Sequence, residues 1–280
     1  MSYDHLSFDD RVELLAREAL GRWDLSGSDL KLLNRSENST YLVIPPAGPQ
    51  VVLRVHREGY HTKAGIQTEL DWMRALQADA GVKTPQSVAP LEGDDVQLVS
   101  HPALPNPRHC VMFELIEGHE LDENLDLAAP YVQLGEVTAR LHRHAEGWRR
   151  PLYFERLTWD FEHMLGEHPN WGHWQEGPAA DARMEDLARI ATALRRRLDR
   201  YGKAPNRYGL AHSDLRLANL LLHEGDVRVI DFDDSGVGWF LYDLGTALGD
   251  LGDSPKLPEL VERWLEGYRR VRSLDAEDLA

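Results

Sequence analysis

Along the first 116 residues, apolar positions alternate between a helical period and a period of two. In "SFDDRVELLAREALGRW" Val12, Leu15, Ala16 and Ala19 share one helical face, and Ser7 and Asp10 stand as start signals. "DLKLLNR" and "TYLVIP" then read as strands, "PPAGPQ" as a turn and "VVLRVHR" as a third strand. "TKAGIQTELDWMRALQAD" returns to helical spacing through Ile66, Leu70, Met73 and Leu76, and "DVQLVS" and "CVMFELI" read as two further strands.

After "EGHEL" the period changes. Tyr131, Leu134, Val137 and Leu141 predict one helix. Met184, Leu187, Ile190, Leu194 and Leu198 predict another, stopped by Gly202, and Leu257, Leu260, Trp264 and Tyr268 a last one. The pattern predicts an α+β chain of two lobes, a small β-rich N-lobe (1–116) with one helix inside its sheet and a larger, mainly helical C-lobe (122–280). Residues 117–121 join them, and the cleft between such lobes is a common ligand site.

One stretch breaks the pattern. "AHSDLRLANLLLHEGDVRVIDFDDSGVGWF" packs five aspartates, with Asn219, His212 and Arg216, around two apolar runs. "NLLLHEGDVRVID" predicts a hairpin, with strands over 219–223 and 227–231 and a turn at Glu224-Gly225-Asp226. Its open end brings Asn219 near Asp231, and Asp214 reaches the same place through the preceding loop. Carboxylates and an amide oxygen converging beside a cleft form a hard-oxygen site of the kind Mg2+ takes, with substrate phosphates completing the shell. Taken singly, each of these residues reads equally as a turn former.

Composition narrows the classes. The net charge of −16 over 280 residues argues against a nucleic-acid binder, which needs a basic face to displace counterions. A lone cysteine, Cys110, excludes an internal disulfide and a thiolate metal cluster and suggests a reducing cytoplasm. No apolar run approaches the ~18–20 residues of a membrane span, and the acidic opening "MSYDHLSFDD" is unlike a signal peptide. The expectation is a cytoplasmic chain without membrane or nucleic-acid partners.

"HSDLRLAN" resembles the kinase catalytic loop H-R-D-L-K-x-x-N, and "IDFDD" stands where kinases carry D-F-G. The chain is most similar to the aminoglycoside phosphotransferase and choline kinase superfamily. "DDSGVGWFLYDLGTAL" and "LTWDFEHMLGEHPNWGHW" resemble its RdoA-type stress-kinase branch more specifically. The resemblance implies a bilobal protein-kinase-like fold using ATP and Mg2+. It casts Asp214 as the carboxylate that aims the acceptor hydroxyl, Arg216 as a cation for the moving phosphoryl group, and Asn219 and Asp231 as metal ligands. Asp233 either joins a second metal or shapes the loop. His212 holds the loop, and Asp243 caps the next helix or braces that loop.

In the N-lobe the resemblance sets Arg54 at the strand lysine of kinases and Glu69 at its ion-pair partner. Arginine there is a departure, since its fork and bulk differ from an ammonium. "NRSENSTYLV" occupies the glycine-rich-loop position without a glycine, leaving Ser36, Asn38 and Ser39 as phosphate donors. The backbone of Glu114 and Ile116 would meet the adenine edge.

The resemblance implies a hydroxyl acceptor; the expectation is a small compound, and the negative charge leans toward a cationic one. Trp159, Trp171 and Trp174 with Asp160, Glu162 and Glu176 suit an ammonium through cation–π and ionic contacts, or else simply pack the helical lobe. A protein serine or threonine acceptor, as in the RdoA branch, stays open as a rival, as does a nucleotide-binding pseudokinase.

Overall fold

Ser7 Oγ accepts the backbone N–H of Asp10 at 3.1 Å while Asp10 Oδ2 accepts that of Ser7 at 3.0 Å. This reciprocal box starts helix α1, Phe8–Ala19. The computed structural model that contains it describes residues 3, 5–36, 38–177 and 180–279. The chain forms two units. The first comprises Met1–Arg74, Thr84–Glu117 and Pro151–Glu155, the second Ala75–Lys83, Gly118–Arg150 and Arg156–Ala280.

The first unit is built on an antiparallel sheet. Its strands are β1 (Asp29–Arg35), β2 (Ser39–Ile44), β3 (Val51–Val55), β4 (Gln97–Val99) and β5 (Arg108–Glu114), in spatial order β1-β2-β3-β5-β4. Helix α2, Lys63–Ala80, runs between β3 and β4 in sequence. Strand alternation sorts the side chains into two sets. Tyr41, Val43, Leu53, Val55, Cys110 and Met112 join Val12, Leu15, Ala16 and Ala19 of α1 in one core. Arg54, between Leu53 and Val55, therefore faces the other way, toward α2.

The second unit opens with a two-residue strand β6, His119–Glu120, and helix α3, Ala128–Gly147. Strand β7 (Leu157–Trp159) and the short α4 (Phe161–Met164) precede helix α5, Ala180–Tyr201. Strands β8 (Tyr208–Ala211), β9 (Leu220–His223), β10 (Asp226–Val229) and β11 (Gly236–Trp239) follow, then α6 (Tyr242–Gly249) and α7 (Leu257–Arg269). They make two small sheets, β10-β9-β6 and β7-β11-β8. Helices α3 and α7 cross with their backbones almost touching. A Cβ on Gly135 would fall 2.0 Å from Trp264 O, and one on Gly267 1.8 Å from Val132 O.

Two expectations need adjusting. The hairpin turn is Glu224-Gly225 alone, both at positive φ (52° and 87°), with Asp226 paired to His223. Such a mirror-type turn matches strand twist and shortens the loop by a residue. Helix α5 does carry the apolar stripe its spacing predicts, but Ile190 is 62% and Leu194 37% exposed. Periodicity identifies a helix with an apolar face and does not say what covers that face. No helix among the described residues is long and apolar enough to cross a membrane.

Candidate active site

The segment 212–219 follows β8 and closes in a 3-10 turn at Leu217–Asn219, where Asn219 N–H donates to Arg216 O at 2.9 Å. Asn219 thus sits just before the hairpin, outside the ladder. Its carbonyl accepts Ile230 N–H at 3.0 Å, so the hairpin mouth sets Asn219 across from Ile230 and next to Asp231. The Asn219 Nδ2 donates to Asp214 O at 2.9 Å and to Asp214 Oδ2 at 2.7 Å. Arg216 Nε donates to the same Oδ2 at 3.2 Å. Asp214, Arg216 and Asn219 therefore share one carboxylate oxygen, and planarity of the amide turns Asn219 Oδ1 away from Asp214.

Two non-glycine residues of this region take left-handed backbone, Ser213 at φ 70° and Asp231 at φ 60°. Such conformations cost free energy and persist where surrounding bonds over-determine them. At Ser213 those bonds come from Asp243. Its Oδ2 accepts His212 N–H at 3.2 Å and its Oδ1 accepts Ser213 N–H at 2.6 Å. Asp243 lies in the first turn of α6, so of its two expected roles the brace is the one observed. Thr246 Oγ1 accepts Leu215 N–H at 3.0 Å. His212 is enclosed, with Nε2 donating to Ile230 O at 3.2 Å and Nδ1 accepting Asp214 N–H at 3.3 Å, an arrangement of the neutral ring that spans both loops.

The brace continues inward. His142 Nε2 lies 2.9 Å from Asp243 Oδ2 and Nδ1 2.9 Å from Tyr268 Oη. Burial pushes the His142 pKa down, against the pull of Asp243, so the ring is neutral. Arg272 donates to Tyr268 Oη, which leaves the phenol proton for His142 Nδ1. His142 also stacks on Phe240, ring centroids 4.5 Å apart. Sequence reasoning missed His142, Tyr268 and Thr246, because nothing local distinguishes them from other helix residues.

Beyond Asp231, Phe232 is fully buried with its ring edge on His212, and Asp233 is buried too. The carbonyls of Phe232, Asp233, Asp234 and Ser235 are taken by side chains from residues 156–159. Tyr242 adjoins this loop. Burial raises its phenol pKa, and the charges of Asp214, Asp243 and Asp234 add to the rise.

The aromatic insert is only partly available to a ligand. Trp159 is buried, with Nε1 bonded to Asp234 O, and Trp174 Nε1 donates to Leu165 O at 3.2 Å. Trp171 is exposed and meets Trp159 edge-on at 5.1 Å. Asp160 caps α4 through His163 N–H and is paired with Lys203 at 2.7 Å. Glu162 accepts Glu167 N–H at 2.6 Å and Glu176 lies on the surface.

In the first unit Arg54 Nη2 donates to Glu69 Oε1 at 2.6 Å, both side chains buried, with the guanidinium 4.7 Å above the Phe113 ring. Glu69 Oε2 is buried without a hydrogen-bond partner among the described residues. Asn38 Oδ1 accepts Arg57 N–H at 3.0 Å and Ser36 N–H donates to Asn38 O at 3.1 Å. Ser36 is exposed and Ser39 buried. Glu114 ends β5 with its N–H on Gln86 O at 2.8 Å, and Ile116 follows, half-buried.

Among the described residues no three His, Cys, Asp or Glu side chains form a self-contained metal cage. The oxygen donors of Asn219 and Asp231, with Asp233 nearby in the chain, fit an ion of the Mg2+ type. Such an ion keeps water and phosphate in its shell and takes one or two protein ligands.

Residues 29–278 match the family described as the phosphotransferase enzyme family. The solved structure of a microcompartment-associated aminopropanol kinase is 43% identical, with TM-score 0.87 over 95% of this chain and 83% of that one. The amicoumacin kinase of Bacillus subtilis (strain 168) is 25% identical over 94% of this chain and 78% of its own. An amicoumacin kinase solved with AMP-PNP, Ca2+ and Ami shares the fold at TM-score 0.75 and 21% identity, over 95% of this chain and 80% of that one.

Proposed function

The chain belongs to the phosphotransferase enzyme family and is a kinase, and from that premise we propose that it transfers the γ-phosphoryl group of ATP to the hydroxyl of a small amine-bearing alcohol. The observation that carries the reading is the shared oxygen of Asp214, held by Asn219 and Arg216 on a loop braced from within.

Asp214 receives the acceptor's hydroxyl proton as its oxygen bonds to the γ-phosphorus and the bond to the β–γ bridging oxygen breaks, releasing ADP. Arg216, held beside Asp214, places a fixed positive charge next to the moving phosphoryl group. Asn219 and Asp231 would hold the divalent cation, Mg2+ in this reading, with Asp233 shaping the loop. When bound, that cation neutralises charge on the phosphates and the leaving ADP. Arg54, aligned by Glu69, grips the nucleotide's phosphates, with Ser36 and the backbone around Asn38 beside them, and the Glu114–Ile116 backbone meets the adenine.

The amine follows from likeness to an aminopropanol kinase and from the net charge of −16. Asp160 is paired with Lys203, and the exposed ring of Trp171 offers an aromatic face to an ammonium group.

The test uses γ-labelled ATP and Mg2+ with a panel of amino alcohols headed by aminopropanol, matched alcohols lacking the amine, and Asp214→Asn as control. Label in the amino alcohols and lost in the variant is the expected result. Label in amine-free alcohols alone, or in protein alone, overturns the substrate class, and no transfer at all overturns the reaction.

A further inference from the structure

Between β10 and β11 three carboxylates, Asp231, Asp233 and Asp234, fall within four residues. Like charges on neighbouring residues repel, and a left-handed residue at the head of the run adds strain, so the loop needs an external hold. It has one. Arg156 Nε donates to Ser235 O at 2.6 Å, and Arg156 Nη2 donates to Phe232 O at 3.2 Å and to Asp233 O. Trp159 Nε1 donates to Asp234 O at 2.7 Å. Two side chains of one short segment thus take four consecutive carbonyls. The segment leaves little slack: a Cβ on Gly236 would come 2.6 Å from Trp159 Nε1 and 2.7 Å from Leu157 O.

A peptide carbonyl fixes its whole plane, and two fixed planes fix the Cα–Cβ direction between them. The guanidinium supplies separate, rigidly spaced donors carrying a full charge, which an ammonium on a flexible stem does not reproduce. We propose that Arg156 is a positioning residue for the metal loop. By fixing the carbonyls on either side of Asp233, it sets the direction in which that carboxylate is presented, and it holds the backbone that leads away from Asp231. It thereby raises affinity for the divalent cation without touching it, as outer-sphere partners of metal ligands do. Trp159 completes the bracket one residue further on.

The inference rests on the reading that Asp231 is a metal ligand, and the test separates the two. Mn2+ binding is titrated by the electron paramagnetic resonance of free Mn2+, in the presence of AMP-PNP, for wild type, Arg156→Lys, Arg156→Met, Trp159→Phe and Asp231→Asn. Mg2+ half-saturation of phosphoryl transfer and the KM of the acceptor are measured alongside. The expected result is an Mn2+ dissociation constant raised about tenfold in both Arg156 variants and less in Trp159→Phe, with acceptor KM within about twofold. Excess Mg2+ should recover much of the lost rate. Wild-type Mn2+ affinity in the Arg156 and Trp159 variants, with loss in Asp231→Asn, overturns the inference alone. Wild-type affinity in Asp231→Asn overturns the metal assignment beneath it. Trp159→Phe removes a single bond and keeps the test usable if both Arg156 variants misfold.

Discussion

One amide group ties Asn219 to Asp214, its Nδ2 reaching both the backbone oxygen and the side-chain Oδ2, at 2.9 and 2.7 Å. The amide nitrogen thereby orients the carboxylate, and planarity turns the amide oxygen away from it. Asp214→Asn keeps shape and removes the base. The expected outcome is a kcat lower by about 10²–10⁴ with thermal unfolding close to wild type. Asn219→Asp should behave differently. It places an oxygen where a donor stands, so both kcat and stability fall, which steady-state kinetics and calorimetry on the two variants will separate.

Asp243 takes two buried backbone amides and the ring of His142. Asp243→Asn presents an NH2 group to partners that are themselves donors. A cost of about 2–3 kcal/mol is expected from denaturant unfolding, since unsatisfied buried donors lose their full solvation. kcat should fall as well, because Ser213 is no longer held in its left-handed conformation.

Arg54 and Glu69 form a buried pair, and removing one partner strands the other. Arg54→Met should cost about 3–5 kcal/mol in urea unfolding. Pairing it with Glu69→Leu should restore most of the stability, while the KM for ATP stays raised in both. Recovery of that KM in the double variant would argue that Arg54 serves the fold alone.

Burial works against the charge of Asp160, yet the bonds from Lys203 and His163 hold its pKa down at about 2, below the ordinary 3.8. A group depressed in the folded state stabilises above its unfolded pKa and loses that stabilisation as pH falls toward the folded one. Wild type should therefore lose ~1–2 kcal/mol from this site between about pH 4 and 2, after allowance for solvent screening at the exposed Lys203. Asp160→Asn should be less stable at neutral pH and show a shallower acid slope, read from thermal unfolding against pH.

Much of the frame is legible because it is local. The Ser7–Asp10 box, the alternation of β3 and the hairpin after Asn219 are each encoded within a dozen residues. The pairing of "HSDLRLAN" with "IDFDD" is legible too, since one hairpin joins them. What escaped has partners far away in sequence. Arg156 meets Phe232 76 positions on, and no period or spacing marks a lone arginine before a three-residue strand. Strands as short as β6 and β7 carry too few alternations to register. The uncovered stripe of α5 shows the converse, a clear pattern whose partner the pattern does not name.

The glycine crossing of α3 and α7 has a consequence for biosynthesis. Tyr268 and His142 lie 126 residues apart, and Gly135 and Gly267 let their helices close until the phenol reaches the ring. The braced loop at 212–214 is therefore translated well before the helix that secures its support. On the ribosome the hairpin has its own turn and ladder to form early, while Asp243, which holds Ser213, gains its inner support through His142 and Tyr268 only once α7 has emerged.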